Sequence, residues 1–388
     1  LFNIGSRLKN KTFGWVWSLI FLSGLLPNLY FRTGIIDPYF NLFIFLSIYF
    51  FFLSITHNKI KNIFFSGLFS GLAILAKGPV GLLLVLLSCT IYSLSSRKKI
   101  SLKNILIFIS TVIIVSSPWY LIELVNKGPW FLIEFIQYQI ELFSKPVAGH
   151  QQPIYYHFVV LLFGCIPFSF FALRNIFIDS KSDLKFEKMM RICFWTVLVL
   201  FTIVTTKIVH YSSMAYVPFS FLGSIEIYKI INGKSFSKGI KLFLFLLSSI
   251  IATVLSFFIY LLIYQKGIIM SFSDNIQLKT LLNLNLLWQG WEWTIPLIIA
   301  FSSLLWIIKF KFQPLKSLAI YSLLIGLSFS LISYFIIPKI EFAIQGTVVS
   351  FYKDISKEKK YLTTVGFKSY APYFYSEVDH LKEVDKLY

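Results

Sequence analysis

A single acidic residue between two apolar runs is the first candidate for chemistry. Asp37 lies in the segment Gly34-Ile35-Ile36-Asp37-Pro38. An ionisable group at the edge of a membrane segment is a functional candidate by default. Asp followed by Pro is also a common helix start, in which the Asp side chain is the N-cap. The two roles are compatible, and the sequence predicts a helix start here in either case.

Two lysines end apolar runs and are candidates for binding an anion. Lys77 is followed by Gly78, which leaves room for a ligand to approach the backbone. Lys207, His210 and Tyr211 share one face if their segment is helical, and that combination suits an anionic head group. The alternative for both lysines is an interfacial position, with the charge reaching the membrane surface beside the usual belt of tyrosines.

A third polar segment, Gly149-His150-Gln151-Gln152-Pro153-Ile154-Tyr155-Tyr156-His157, precedes another apolar run. His150 is a candidate metal ligand, because His is the commonest such residue; the alternative is a hydrogen-bonded loop histidine. HExxH, CxxC, Walker and Ser-His-Asp signatures are absent from the sequence. A nucleotide-driven pump or a soluble-type dehydrogenase is therefore poorly supported.

Membrane helices are the elements that must position these residues. Hydrophobic residues make up 57% of the 388-residue chain, charged residues make up 14%, and the mean hydropathy is +0.75. A soluble domain has about 45–50% apolar and about 25% charged residues, which excludes a soluble globular or disordered chain. The apolar runs have the length of membrane helices. We predict an all-α polytopic membrane protein with about eleven helices, roughly at 13–30, 38–56, 62–76, 80–95, 104–120, 154–173, 192–206, 212–230, 242–264, 288–308 and 318–338.

The net charge of +19 indicates topology. Of the 36 Lys and Arg residues, 21 lie in one set of alternate loops, and such loops face the cytoplasm. Because these charges lie in loops between apolar runs, we predict membrane lipids, and no nucleic acid, as partners.

The connection 121–153 is long, aromatic and interrupted by glutamates. It suits a helix in the interface plane that forms a wall of a lipid-facing cavity; the alternative is a packing loop.

Residues 341–388 differ in composition from the membrane-embedded domain predicted for 1–340. We expect a strand at 361–367 and a helix from about 369. The segment is too short to bury a core alone, so we interpret it as the truncated start of a small α/β domain on the periplasmic side; the alternative is a flap docked on the membrane part.

The segments around Asp37, the run Gly71-Leu72-Ala73-Ile74-Leu75-Ala76-Lys77-Gly78-Pro79-Val80, and the motifs of Gly149–Tyr156 and Thr206–Tyr211 resemble one family. They are similar to the polytopic glycosyltransferases of the GT-C type, with lipid A aminoarabinose transferases and protein O-mannosyltransferases as the most similar members. The resemblance implies transfer of a sugar from a polyprenyl (undecaprenyl) phosphate donor to a lipid A or protein acceptor, at the periplasmic face of the bacterial inner membrane.

The resemblance also implies roles for individual residues. Lys77, with Gly78, and Lys207 would hold the carrier phosphate, and Asp37 would orient the donor or acceptor. The head-group site would be completed by His150 with a divalent cation and by His210, Tyr211, Tyr155 and Tyr156.

The chain departs from the family at its beginning. The family has about thirteen membrane helices and a catalytic Asp in its first outer loop, whereas Asp37 matches an acidic residue of the second outer loop. We therefore expect a fragment that lacks two helices and is inactive alone.

Two alternative functions remain open. One is a lipid-linked glycan flippase or transporter, and the other is a surface polysaccharide polymerase or ligase.

Overall fold

All regular elements are helices in the part of the chain that the structure, a computed structural model, describes: residues 1–144, 152–178, 184–271, 286–356 and 371–376. The predicted all-α membrane fold is confirmed. The helices are α1 (Phe2–Leu8), α2 (Lys11–Leu22), α3 (Leu25–Tyr30), α4 (Asp37–His57), α5 (Ile60–Lys77), α6 (Val80–Ser95), α7 (Leu102–Lys127), α8 (Trp130–Ser144), α9 (Tyr156–Gly164), α10 (Phe168–Phe177), α11 (Phe186–Ile203), α12 (Tyr216–Ile231), α13 (Lys238–Tyr264), α14 (Lys266–Ser271), α15 (Leu297–Phe310), α16 (Pro314–Phe335), α17 (Ile337–Ser356) and α18 (Ala371–Tyr375). Two 3₁₀ helices lie at Val209–Ala215 and Glu292–Thr294.

Seven helical segments within the described ranges are long and apolar enough to cross a membrane. Two predicted spans are instead divided: 13–30 becomes α2 and α3, and 154–173 becomes α9 and α10. The second division falls at Pro167, which is the N-cap residue of α10. Proline lacks the N–H of a continuing helix and disfavours helical geometry in the residue before it. The total of about eleven spans stays a prediction.

The chain forms two compact units, residues 1–245 with 302–326 and residues 246–301 with 327–388. In the first unit, α4 and α5 form an antiparallel hairpin, and α7 packs on the other side of α5. Helix α12 packs against α2, α10 and α11, and α11 also contacts α6. The hairpin places the first residue of α4 and the last residue of α5 at the same end.

Small residues on α5 allow both of its neighbours to approach closely. Toward α4, the Ser70 hydroxyl lies 2.7 Å from that of Ser47, and the Ser66 hydroxyl donates to the Ser47 carbonyl at 2.9 Å. Toward α7, a Cβ added at Gly67 would lie 2.8 Å from a backbone oxygen, and one at Gly71 would lie 2.7 Å from a side chain. Close packing through small residues and interhelical hydrogen bonds is the usual way in which membrane helices associate.

The outer face of α7 has the character of a surface exposed to lipid. Apolar side chains along it are exposed, including Leu106, Ile113, Ile114 and Val125. An apolar helix face of this extent is unfavourable in water and favourable in hydrocarbon.

The second unit has its own small core around Ile259, Ile295 and Ile336. Lys339 donates to the buried carboxylate of Glu292. Helix α17 runs through position 341 without a break, and the domain division between 340 and 341 stays a prediction. The predicted strand at 361–367 lies outside the described residues, and the α/β tail stays a prediction.

Candidate functional site

Asp37 and Lys77 form an ion pair at one end of the α4–α5 hairpin. The Lys77 ammonium lies 2.8 Å from Oδ1 and 2.9 Å from Oδ2 of Asp37. Asp37 is the first residue of α4 and Lys77 is the last residue of α5, so the antiparallel hairpin brings together two residues 40 positions apart. The structure therefore joins two site residues that the sequence could only place separately.

The Asp37 side chain is 5% exposed, whereas that of Lys77 is 30% exposed. The predicted N-cap role of Asp37 is wrong: the cap residue is Ile36, and it makes no side-chain cap hydrogen bond. Asp37 instead lies in the first turn of α4, where the helix dipole favours a negative charge. Its two oxygens are directed to the lysine and not to the helix backbone.

Gly78 ends α5 in a conformation that requires glycine. Its φ is +85°, and its backbone N–H donates to the Ile74 carbonyl at 2.7 Å. A Cβ at this position would lie 2.9 Å from the Phe135 ring of α8. Gly78 thus allows α8 to lie directly against the end of α5, beside the ion pair.

A cavity of about 210 Å³ opens beside the ion pair. Helices α4, α5, α6, α8 and α11 and the 3₁₀ segment supply its walls through Asp37, Phe40, Lys77, Val80, Tyr138, Gln139, Phe201, Val204 and Tyr211. The Lys77 ammonium lies 5.8 Å from the Phe40 ring centre and 5.5 Å from the Tyr211 ring centre. One cation thus faces a largely aromatic wall, an arrangement that holds a positive charge by cation–π attraction.

Helix α8 is the part of the site that sequence patterning located only roughly. The connection 121–153 was expected to contain an interfacial helix, and the structure confirms a helix at Trp130–Ser144. Its Tyr138 and Gln139 line the cavity, and neither was a candidate site residue. The one feature of the sequence that could have indicated these two residues is that both are polar in an apolar, aromatic segment.

Lys207, His210 and Tyr211 do not share one helical face, because the helix there is a 3₁₀ helix that begins only at Val209. Tyr211 alone of the three lines the cavity. The Lys207 side chain is buried, and its ammonium donates to the Val204 carbonyl at 2.9 Å. The His210 ring packs against the rings of Tyr211 and Tyr30, with centroids 5.3 and 6.0 Å apart.

His157 adds a buried polar group that sequence reasoning did not assign to the site. Its Nδ1 lies 3.1 Å from the Ser212 hydroxyl, and its Nε2 has no hydrogen-bond partner within the described ranges. The Lys207 charge is close enough to interact electrostatically with the imidazole. His157 and Lys207 thus form a second polar cluster next to two aromatic residues that line the cavity. The Phe201 ring centre lies 6.1 Å from that of His157 and 5.7 Å from that of Tyr211.

The remaining predicted site residues are less closely connected to the cavity. Tyr155 is exposed, and Tyr156 is partly buried with its ring 5.2 Å from that of His157. Neither lines the cavity. His150 lies outside the described residues. Within the described ranges no three His, Cys, Asp or Glu residues are grouped as metal ligands, and a divalent cation stays a prediction.

The fold and this cavity define a class: a polytopic helical membrane protein with an ion pair and an aromatic cavity at helix ends. The predicted resemblance to GT-C type polyprenyl-phosphate-sugar glycosyltransferases is confirmed. Residues 1–122 match the family model described as dolichyl-phosphate-mannose-protein mannosyltransferase.

Two curated relatives carry the name undecaprenyl phosphate-alpha-4-amino-4-deoxy-L-arabinose arabinosyl transferase. The protein from Wigglesworthia glossinidia brevipalpis is 27% identical over 269 residues, which is 66% of this chain and 47% of the relative. The protein from Pectobacterium carotovorum subsp. carotovorum is 24% identical over 227 residues, 55% of this chain and 40% of the relative. The chain thus spans about half the length of the curated relatives it matches.

Two crystal structures of ArnT from Cupriavidus metallidurans share the fold. The structure bound to undecaprenyl phosphate has a TM-score of 0.70, and the apo structure has a TM-score of 0.72. Each is 14% identical in sequence and matches 97% of this chain and 67% of its own. The chain therefore shares the GT-C type fold of these two structures.

Proposed function

We propose that the chain is the membrane-embedded part of a glycosyltransferase that takes a sugar from a polyprenyl-phosphate carrier. The observation that carries this proposal is the Asp37–Lys77 pair at the mouth of an aromatic cavity. The fold supports it, because a protein of the same fold binds undecaprenyl phosphate. The acceptor would be a lipid A-type or protein hydroxyl or phosphate group at the periplasmic face of a bacterial inner membrane.

Lys77 is the residue that would hold the carrier phosphate. Its ammonium is partly exposed to the cavity, whereas the Lys207 ammonium is buried and engaged with a carbonyl. When the bond between the sugar and the phosphate breaks, negative charge develops on the phosphate oxygens. A lysine already fixed in place stabilises that charge without having to reorganise.

Asp37 would act as a positioning residue for Lys77. Both of its oxygens accept hydrogen bonds from the ammonium, which fixes the position of the lysine beside the cavity. Tyr138 and Tyr211 place phenol groups in the same cavity, where their hydroxyls can donate to a phosphate or a sugar.

The test begins with undecaprenyl phosphate binding by the full chain in nanodiscs, measured by native mass spectrometry. Lys77→Met should weaken binding by about 10-fold or more, because a hydrogen bond to a charged group contributes roughly 1.5–3 kcal/mol.

Lys127→Met is the matched control. Lys127 also ends a helix before a glycine of positive φ and a proline, and it pairs with Glu123 at 2.9 Å. It does not line the cavity. The proposal fails if Lys77→Met binds undecaprenyl phosphate as tightly as Lys127→Met does.

A further inference from the structure

A second and larger cavity lies at the opposite end of α4 from Asp37. Its volume is about 450 Å³, and its lining includes Thr56 and His57 at the C-terminal end of that helix and Lys59 just before α5. Helix α4 has 21 residues and is therefore roughly 30 Å long, with one cavity toward each of its ends. The larger cavity therefore belongs to a different surface of the membrane region.

Basic side chains converge on this cavity from three parts of the chain. They come from the end of α1, from the turn between α4 and α5, and from the residue before α11. They are Arg7, His57, Lys59, Lys61 and Lys185. The four Lys and Arg residues among them lie in the loops that the charge pattern predicts to face the cytoplasm.

The cavity lacks a negative counter-charge among the described residues that line it. The other lining groups are Leu8, Tyr49, Phe52, Leu53, Thr56, Asn62, Leu184 and Phe186. Like charges held close together repel one another, and an anion bound between them removes that cost. Lysine and arginine in combination suit a phosphate, which accepts several hydrogen bonds at once.

The base of the cavity is rigid and aromatic. The side chains of Tyr49, Phe52 and Phe186 are buried, and the rings of Phe52 and Phe186 meet edge to face with centroids 4.8 Å apart. Arg7 and Tyr49 both line the cavity, and the Arg7 charge is close enough to interact electrostatically with the Tyr49 hydroxyl. The volume falls within the roughly 300–1,000 Å³ typical of small-molecule sites.

We propose that this cavity binds a phosphate-bearing ligand at the membrane surface opposite the Asp37–Lys77 site. Basic pockets between membrane helices on the cytoplasmic side are a known way of holding anionic lipid head groups. The same chemistry would recognise a soluble phosphate ester. The inference does not depend on the proposed glycosyl transfer, because the two cavities share no lining residue.

The experiment compares a triple variant, Lys59→Gln with Lys61→Gln and Lys185→Gln, with a control, Lys98→Gln with Lys99→Gln and Lys103→Gln. Both remove three exposed lysines from loops predicted to be on the same side. They therefore change the general electrostatic attraction and the topology signal equally. Only the first set lines the cavity.

One arm measures retention of phosphatidylglycerol or cardiolipin by the full chain, using native mass spectrometry after exchange from mixed-lipid nanodiscs. The other arm measures competition by glycerol phosphate and inorganic phosphate. We expect the first variant to lose about 10-fold or more in apparent lipid affinity, and the control to lose less than about twofold. Competition by the soluble phosphates would identify a soluble ester as the ligand, and its absence would identify a lipid.

The proposal is overturned if the wild-type chain retains neither kind of ligand, or if the two variants lose affinity equally. A folding defect in the first variant is checked by its thermal unfolding relative to the control. If it is destabilised, Lys59→Gln and Lys185→Gln are measured singly, and unchanged binding in both would equally reject the proposal.

Discussion

The Asp37–Lys77 pair can be tested through an asymmetry in its two single substitutions. Lys77→Met would leave a carboxylate that is only 5% exposed without its partner, whereas Asp37→Asn would leave an ammonium that is 30% exposed. Removing one partner from a buried pair costs about 3–5 kcal/mol, because an uncompensated charge remains. Exposed pairs contribute only about 0–1 kcal/mol. Leaving the buried carboxylate without its partner should therefore lower the free energy of unfolding much more than leaving the lysine without its partner.

We expect Lys77→Met to lower the free energy of unfolding by about 3 kcal/mol and Asp37→Asn to lower it by about 1 kcal/mol. The double variant has no stranded charge and should lose about 2 kcal/mol. Asp37→Asn should therefore partly rescue Lys77→Met, with a coupling energy of about 2 kcal/mol between the two sites.

The measurement is reversible unfolding of the four proteins in mixed micelles with increasing SDS, followed by tryptophan fluorescence. The Lys127→Met variant is the control, because the Glu123 carboxylate that it leaves behind is 17% exposed, more than that of Asp37, and its loss should cost less than the loss of Lys77. The reasoning is refuted if Asp37→Asn is as destabilising as Lys77→Met, or if the double variant loses the full sum of the two single effects.

Three further substitutions test the packing around the site, each by the same unfolding assay. Gly78→Ala should cost more than Gly128→Ala, by about 1 kcal/mol or more, because both have a positive φ but only the first would place a Cβ against a ring, at 2.9 Å. Gly71→Ala should cost about 1–3 kcal/mol by pushing α7 from α5, whereas Gly326→Ala meets only an ordinary contact at 3.7 Å and should be neutral or stabilising. Ser213→Ala should cost about 1–2 kcal/mol, because it removes the 2.8 Å partner of a buried asparagine amide on α4. Equal effects within either glycine pair, or a neutral serine variant, would contradict the packing described here.

Sequence patterning was most successful where the local chain alone decides the structure. The start and end of α6 agree with the predicted range of 80–95, because apolar continuity and the flanking Pro79 define that helix locally. The predicted interruption between the helices at 62–76 and 80–95 is confirmed for the same reason: Gly78, which has a φ of +85°, ends α5 through its own backbone conformation. Asp37 and Lys77 could also be recognised as candidate functional residues from the sequence, because each is an isolated charged residue among apolar ones.

The pairing of those two candidates could not be predicted from the sequence. It depends on how far α4 and α5 slide along each other, and this is decided by serines and glycines in the middle of α5 and by the side chains they meet. The prediction that Lys207, His210 and Tyr211 share one helical face was wrong for a related reason. Tertiary packing selected a short 3₁₀ turn there, which left only Tyr211 at the cavity.

The sequence by itself determined that the chain is a helical membrane protein, which alternate loops carry most of its basic residues and which few ionisable residues stand out, because composition and hydropathy are properties of the individual residues. Only the tertiary structure decided that an aspartate and a lysine 40 positions apart share a cavity with a tyrosine and a glutamine from α8. It also decided that basic residues from three separate parts of the chain surround one space at the other end of α4. Both sites arise from helices meeting in space, and the distance between helix ends is a property of their packing, which no local pattern in the sequence records.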